Sequence, residues 1–146
     1  MNQTFKVVAS GMYVPTKTIT NIDFEKIIDT SDEWITSRTG IKERRKAEDE
    51  VCSDLATKAA QNAIDFYKYD IDNIDLIIVA TITGEQKTPS IANIVQGKLG
   101  IKREIMSFDV NAACTGFVYA LDIASALLST NRFRSALVIG SEKLSD

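Results

Sequence analysis

Five consecutive apolar residues, Leu76-Ile-Ile-Val-Ala80, constrain this chain more than any other stretch. A strand with one wet face alternates apolar and polar residues, whereas an unbroken run must be covered on both faces. Such strands belong to parallel sheets sandwiched between helices. The segments around the run fit that plan. Phe5–Val14 reads as a first strand ended by Pro15, Arg103–Val110 as a third and Ala136–Gly140 as a fourth. Helical patterns lie between them. A short one near Ile22–Ile28 is capped by Thr20 or Asn21, with Phe24, Ile27 and Ile28 on one face. Another runs through Trp34 and Arg38, opened by a Thr30/Glu33 capping box and halted by Gly40. Ser53 caps an amphipathic helix over about Asp54–Tyr67, with Leu55, Ala59, Ala63, Phe66 and Tyr67 inward. Pro89 and Ser90 open the next, which buries Ile91, Ile94, Val95 and Leu99 and stops at Gly100. The last follows Cys114, with Phe117, Val118, Leu121, Ala124 and Leu128 on its buried side. The order predicts an α/β protein: a mostly parallel sheet with helices on both faces, built as one domain over residues 1–146.

In such sheets functional groups gather beyond the C-terminal ends of the strands. The loop Thr81–Thr88 and Cys114 both fall there. Cys114 sits where the strand ending at Val110 gives way to a helix, flanked by the small residues Ala112, Ala113 and Gly116. Free N–H groups and the positive end of a helix favour a thiolate, which is the nucleophilic form. A free cysteine is also an ordinary packing residue, and spacing alone does not choose between these readings. Cys52, just ahead of a helix cap, reads as packing. The two cysteines suggest neither a disulfide framework nor a metal site. Trp34 and Arg38 are four apart and share a helix face, where an indole can stack a flat base and a guanidinium can hold a phosphate. Lys42, Arg44, Arg45 and Lys46 add positive charge nearby. A packed tryptophan beside a solvated basic loop accounts equally well for these residues. The net charge of −3 argues against general nucleic-acid binding, and no apolar run is long enough to span a membrane. A reducing cytoplasm is the simplest home. The chain has no histidine, so a thiolate here has no imidazole of its own to lean on.

Three separated segments carry a resemblance. Asp29-Thr-Ser-Asp-Glu-Trp-Ile-Thr-Ser-Arg-Thr-Gly-Ile-Lys-Glu-Arg-Arg45 resembles the N-terminal signature of the β-ketoacyl-[acyl-carrier-protein] synthase III family. So do Leu76-Ile-Ile-Val-Ala-Thr81 and Phe108-Asp-Val-Asn-Ala-Ala-Cys-Thr-Gly-Phe-Val-Tyr-Ala-Leu121, and Gly140-Ser-Glu-Lys-Leu144 also fits. The resemblance implies a thiolase-like fold and an acyltransferase that condenses an acyl-CoA primer with malonyl-acyl carrier protein, opening fatty acid synthesis. It implies Cys114 as the residue that carries the acyl group. It places Trp34 against the CoA adenine, Arg38 on CoA phosphate and Thr30 in the same site. It implies no cofactor beyond acyl-CoA as substrate, no metal, and a homodimer in the full-length form. Thr88, before Pro89, departs from the phenylalanine with which well-known members reach into the partner subunit's acyl pocket, and a smaller, more polar threonine there implies a different or roomier primer pocket. Members have two similar halves, the second supplying the catalytic His and Asn. This chain ends within the first, before a fifth, antiparallel strand. The resemblance therefore implies a truncated thiolase-like half, inactive alone in condensation, with the fourth strand as an exposed or borrowed edge. Two other readings stay open: another condensing enzyme of the same fold, such as one of secondary metabolism or a 3-hydroxy-3-methylglutaryl-CoA synthase relative, and a non-catalytic binding or assembly module.

Overall fold

The computed structural model describes residues 5–145, which divide into two compact units. The larger comprises residues 5–13 and 50–144, and the smaller residues 14–49 and 145.

The larger unit is built on a parallel three-stranded sheet. β3 (Leu76–Ala80) lies at its centre, between β4 (Met106–Val110) and β5 (Ala136–Gly140), in the register Leu76↔Met106 and Leu76↔Ala136. All five residues of β3 are buried, as an unbroken apolar run requires. Its side chains alternate between two cores. Ile77 and Val79 pack against Ala56, Ala60 and Ile64 of α3 (Cys52–Tyr67) and Ile91, Ala92 and Val95 of α4 (Ile91–Lys98). Leu76, Ile78 and Ala80 pack against Ala120 and Ala124 of α5 (Gly116–Ser129). Burying each large aliphatic side chain contributes about 1.5–3 kcal/mol, so this strand is the unit's energetic centre.

Leu55 and Ala63 of α3 and Ala124 of α5 are buried as expected, but other residues expected inward turn out. Phe66 and Tyr67 of α3 are exposed and meet edge to face, because the buried stripe runs through Cys52, Ala56, Ala60 and Ile64. On α5 the buried residues are Gly116, Ala120 and Ala124, while Phe117 and Val118 stand 45% and 64% exposed. Small residues at every fourth position let the helix lie close on the sheet, and the bulkier ones turn outward. Ile27 and Ile28, expected on a packed face, are also exposed.

Phe5–Val14 forms no strand. A strand needs a ladder partner. Residues 5–11 instead lie across a cavity of about 1310 Å³ from β5, with α3 and α5 supplying further walls. β5 is accordingly an edge of the sheet, as the resemblance implied for the fourth strand.

The smaller unit pairs β1 (Lys17–Thr20) antiparallel with β2 (Glu43–Lys46), a ladder not expected from the Thr/Lys run after Pro15. Thr20 caps α1 (Asn21–Glu25) through a reciprocal bond pair with Asp23. α2 (Asp32–Thr39) is capped by Ser31, not Thr30: Ser31 Oγ accepts from Trp34 N at 3.1 Å. That start leaves Asp32 and Glu33 in the first turn, where the helix dipole favours acids. Gly40, at φ 72°, ends the helix in the left-handed conformation that glycine adopts without strain.

Asn21 holds this unit together. It is 1% exposed and donates to Ile41 O at 2.7 Å and Asp32 Oδ1 at 2.8 Å, while its Oδ1 accepts from Arg44 Nη1 at 2.7 Å. Asn21→Ala strands these partners and is expected to cost the unit about 2–4 kcal/mol. Amide exchange over residues 17–46 should accelerate accordingly, and unchanged exchange would contradict this role.

Candidate functional site

Two groups of residues carry chemistry, one in each unit. In the larger unit they gather beyond the C-terminal ends of β3 and β4. The backbone ladder runs on past these strands: Thr81 N donates to Val110 O at 3.2 Å and Ser141 N to Ala80 O at 3.1 Å. This fixes where the chain leaves the sheet toward Cys114 and toward Thr88.

Cys114 lies in a single 3₁₀ turn, Ala113–Thr115, two residues ahead of α5. It is exposed and free. Ala113 before it has φ 46°, in the left-handed region that costs a residue with a Cβ about 1–2 kcal/mol. The turn is closed by Thr115, whose N and Oγ1 donate to Ala112 O at 3.2 and 2.9 Å. Gly116 then starts the helix close to the sheet: a Cβ there would lie 3.4 Å from Ala80 Cβ. A sharp turn of this kind between strand and helix presents a side chain outward at the top of a sheet, where an electrophile can reach it.

Thr88, the acyl-pocket candidate, is exposed in the loop between β3 and α4, at the same end of the sheet. The loop is anchored by acids that the sequence reading did not single out. Glu142, just past β5, accepts from Ile82 N at 3.0 Å and from the hydroxyl of Thr83. Glu85 accepts from Ser53 N, at the start of α3, at 3.2 Å. Asp109 of β4 accepts from Ile91 N and Ala92 N at 2.7 and 2.8 Å. A carboxylate inside the otherwise apolar segment Phe108-Asp-Val110 is the one sequence signal by which Asp109 could be found. Cys52 is a packed thiol: it is 1% exposed, 3.3 Å from Thr81 Oγ1 and 3.4 Å from Ser141 O.

In the smaller unit, Trp34 and Arg38 share a face of α2 as their spacing predicts, with the guanidinium carbon 5.0 Å from the ring centroid. Trp34 is 55% exposed, so the pair presents a flat aromatic surface and a cation to solvent. Thr30 lies one residue before the Ser31 cap of that helix. The neighbouring cations are more committed. Arg44 lies over the Phe24 ring at 4.7 Å and bonds Asn21, and Arg45 donates to Pro15 O at 3.2 Å. Among the described residues, no helix is long and apolar enough to cross a membrane.

Known proteins match this arrangement. The family described as 3-Oxoacyl-[acyl-carrier-protein (ACP)] synthase III matches residues 108–146, the stretch that contains Cys114. The β-ketoacyl-[acyl-carrier-protein] synthase III of Acholeplasma laidlawii is 54% identical over 99% of this chain, which covers 47% of that protein. The crystal structure of 3-oxoacyl-[acyl-carrier-protein] synthase III from Aquifex aeolicus superposes with a TM-score of 0.91 at 48% identity, over 95% of this chain and 45% of that one. The priming β-ketosynthase of the R1128 polyketide biosynthetic pathway gives 0.91 at 34% identity, over 97% of this chain and 42% of that one. The fold is thiolase-like, that of the condensing enzymes. Within that class the chain belongs to the β-ketoacyl-[acyl-carrier-protein] synthase III family and matches the N-terminal part of those proteins. It spans about half the length of the curated relatives it matches.

Proposed function

We propose that this chain carries the acyl-accepting part of a β-ketoacyl-[acyl-carrier-protein] synthase III. The observation that carries this reading is Cys114, exposed on a strained turn between β4 and α5. Its thiolate attacks the carbonyl carbon of an acyl-CoA primer. The tetrahedral adduct collapses, the carbon–sulfur bond to CoA breaks, and CoA leaves as its thiol with the proton that Cys114 gave up. Malonyl-acyl carrier protein then loses CO₂, and the resulting carbanion attacks the acyl-cysteine carbonyl. The Cys114 thiolate leaves and β-ketoacyl-carrier protein forms, which initiates fatty acid synthesis in the cytoplasm. Acyl-CoA is a substrate, and this chemistry needs neither a resident cofactor nor a metal.

Trp34 stacks the adenine and Arg38 holds a CoA phosphate, with Thr30 beside them. The cation–π pair on an exposed helix face supports this assignment. The residues of this chain include no histidine to stabilise the carbanion or the oxyanion. Losing one such donor lowers turnover on the order of a hundred- to a thousand-fold, so condensation requires groups beyond these residues, and the working enzyme is a homodimer of the full-length form.

Trp34 is the chain's sole tryptophan, which gives a direct test. Titrated CoA should quench its fluorescence, and Arg38→Ala should weaken that binding about tenfold at low salt. Fluorescence indifferent to CoA in the folded chain would remove Trp34 and Arg38 from the site. A second reading, a priming enzyme of secondary metabolism, rests on the small polar Thr88, since a polyketide priming ketosynthase superposes as well as the Aquifex aeolicus enzyme does. Product analysis with acetyl-CoA and longer or branched primers separates the two.

A further inference from the structure

An edge strand presents a row of amides and carbonyls that have no ladder partner. β5 has β3 on one side only. On its other side lies the cavity of about 1310 Å³, and the segment Phe5–Gly11 forms the wall across from it. That segment has the composition of a strand, Phe-Lys-Val-Val-Ala-Ser-Gly, yet it makes no ladder. Its C-terminal end is fixed. A Cβ on Gly11 would lie 2.5 Å from Ala63 N, so the backbone there sits directly on α3. Met12 N then donates to Asn62 Oδ1 at 3.4 Å, and the Tyr13 hydroxyl to Glu50 Oε1 at 2.6 Å.

The remaining walls are helices: Ala60 and Ala63 of α3, and Phe117, Leu121 and Leu128 of α5. Ile139 of β5 belongs to the α3 core and Val138 packs on the α5 core, so the two helices cover opposite faces. The space therefore continues the sheet outward, between the layers that already cover β3. Its edges are β5, five residues long, and residues 5–11. A strand of five to seven residues is about 17–23 Å long, about 4.8 Å wide in the sheet and about 10 Å deep with its side chains, or about 800–1100 Å³. One such strand fits the cavity and two do not. An acyl chain would fill the volume but satisfy none of the backbone groups along its edge. An extended polypeptide satisfies both edges at once. With a helix on each face it must be apolar throughout, as Leu76–Ala80 is. Among the described residues the apolar strands are already paired, and residues 5–11 are the wall itself, so the occupant comes from elsewhere.

We propose that this cavity is a two-sided strand slot: it takes one extended, uninterrupted apolar segment of a separate polypeptide, laddered to β5 on one edge and to residues 5–11 on the other. The slot stands apart from the acyl-transfer reading of Cys114 and does not depend on it. The probe is a fluorescein-labelled peptide with a hexapeptide core of alternating valine and isoleucine, flanked by glutamates for solubility and titrated with the whole chain by anisotropy. The expected result is saturable binding of one peptide per chain. A version N-methylated at every second core residue keeps one bonding edge and loses the other. An open sheet edge accepts such a peptide through its intact edge. A slot that uses both edges should bind it at least about tenfold more weakly, whichever alternation is methylated, from several lost hydrogen bonds. Ser125 of α5 lines the cavity, and Ser125→Phe, which fills it, should weaken the parent peptide at least about tenfold as well. If that variant loses its helical circular dichroism, the methylated peptides decide alone. Equal affinity for the parent and either methylated peptide, or unchanged affinity in folded Ser125→Phe, would place the peptide on an open surface and overturn the proposal. So would a folded chain that binds no peptide, or one that sediments as a dimer and excludes it, since a second copy would then fill the slot.

Discussion

Asp75→Ala is expected to destabilise the larger unit by about 1–2 kcal/mol, because it leaves the Arg134 amide and the half-buried Arg103 guanidinium without their carboxylate acceptor. Asp75 stands just before β3, at the N-terminal end of the sheet, with its side chain 13% exposed. Its Oδ2 accepts from Arg134 N at 2.8 Å, ahead of β5, and its Oδ1 from Arg103 Nη2 at 2.9 Å, ahead of β4. The backbone of Asp75 joins the same strands: its N donates to Ser135 O at 3.1 Å and its O accepts from Met106 N at 3.3 Å. One residue thus sets where three strands begin. Most of the effect comes from the backbone amide and Arg103, since the Arg134 side chain is 79% exposed and its ion pair is screened by solvent.

The same residue gives the stability a pH dependence of defined sign. The Arg134 amide first, then the Arg103 guanidinium, hold the Asp75 carboxyl below its usual value. A carboxylate depressed in the folded state contributes stability above its unfolded pKa, about 3.9, and that stability is lost as pH falls through the lower folded value. The difference in unfolding free energy between wild type and Asp75→Asn should therefore be constant from neutral pH to about pH 5 and shrink below about pH 4. Urea titrations across that range measure it directly. A difference that persists undiminished into acid would mean that the carboxylate charge contributes nothing.

The second large effect separates the two cysteines. Cys114 is exposed on its turn, whereas Cys52 is 1% exposed and held among Thr81 and Ser141. Alkylation of Cys52 requires the larger unit to open. Iodoacetamide should therefore modify Cys114 at least on the order of a hundredfold faster than Cys52. Peptide mapping over a time course reads both rates at once. Comparable rates would show that the Cys52 side of α3 opens readily, and would argue against the tightly packed core described for it.

The sequence made some of this legible and left the rest hidden for physical reasons. The unbroken run Leu76–Ala80 announced a strand covered on both faces, and the parallel sheet and both helical layers followed from it. The strand-to-helix break placed Cys114 on an exposed turn, and four-residue spacing brought Trp34 to Arg38. Long-range partners were not legible. Phe5–Val14 has strand composition, yet a strand exists only where a ladder does, and residues 5–11 face a cavity instead. Nothing local distinguished the Asn21 hub or the three-strand clasp of Asp75 from ordinary turn residues. On α3 and α5 the apolar pattern places Leu55, Ala63 and Ala124 correctly inside, but not Phe66, Tyr67, Phe117 and Val118, because periodicity weighs large side chains whereas close packing here also uses Ala56, Ala60, Gly116 and Ala120. Thr30 and Ser31 are both good caps, and only the backbone chose Ser31.

The central claim is that Cys114 accepts an acyl group from CoA. The most direct measurement is intact mass after incubation with acetyl-CoA and longer acyl-CoAs, followed by peptide mapping, with Cys114→Ser alongside. The account predicts one acyl adduct per chain, located at Cys114, absent from the serine variant and removed by hydroxylamine as a thioester is. A folded chain that gains no adduct from any acyl-CoA, or one whose adduct persists in Cys114→Ser, would contradict it.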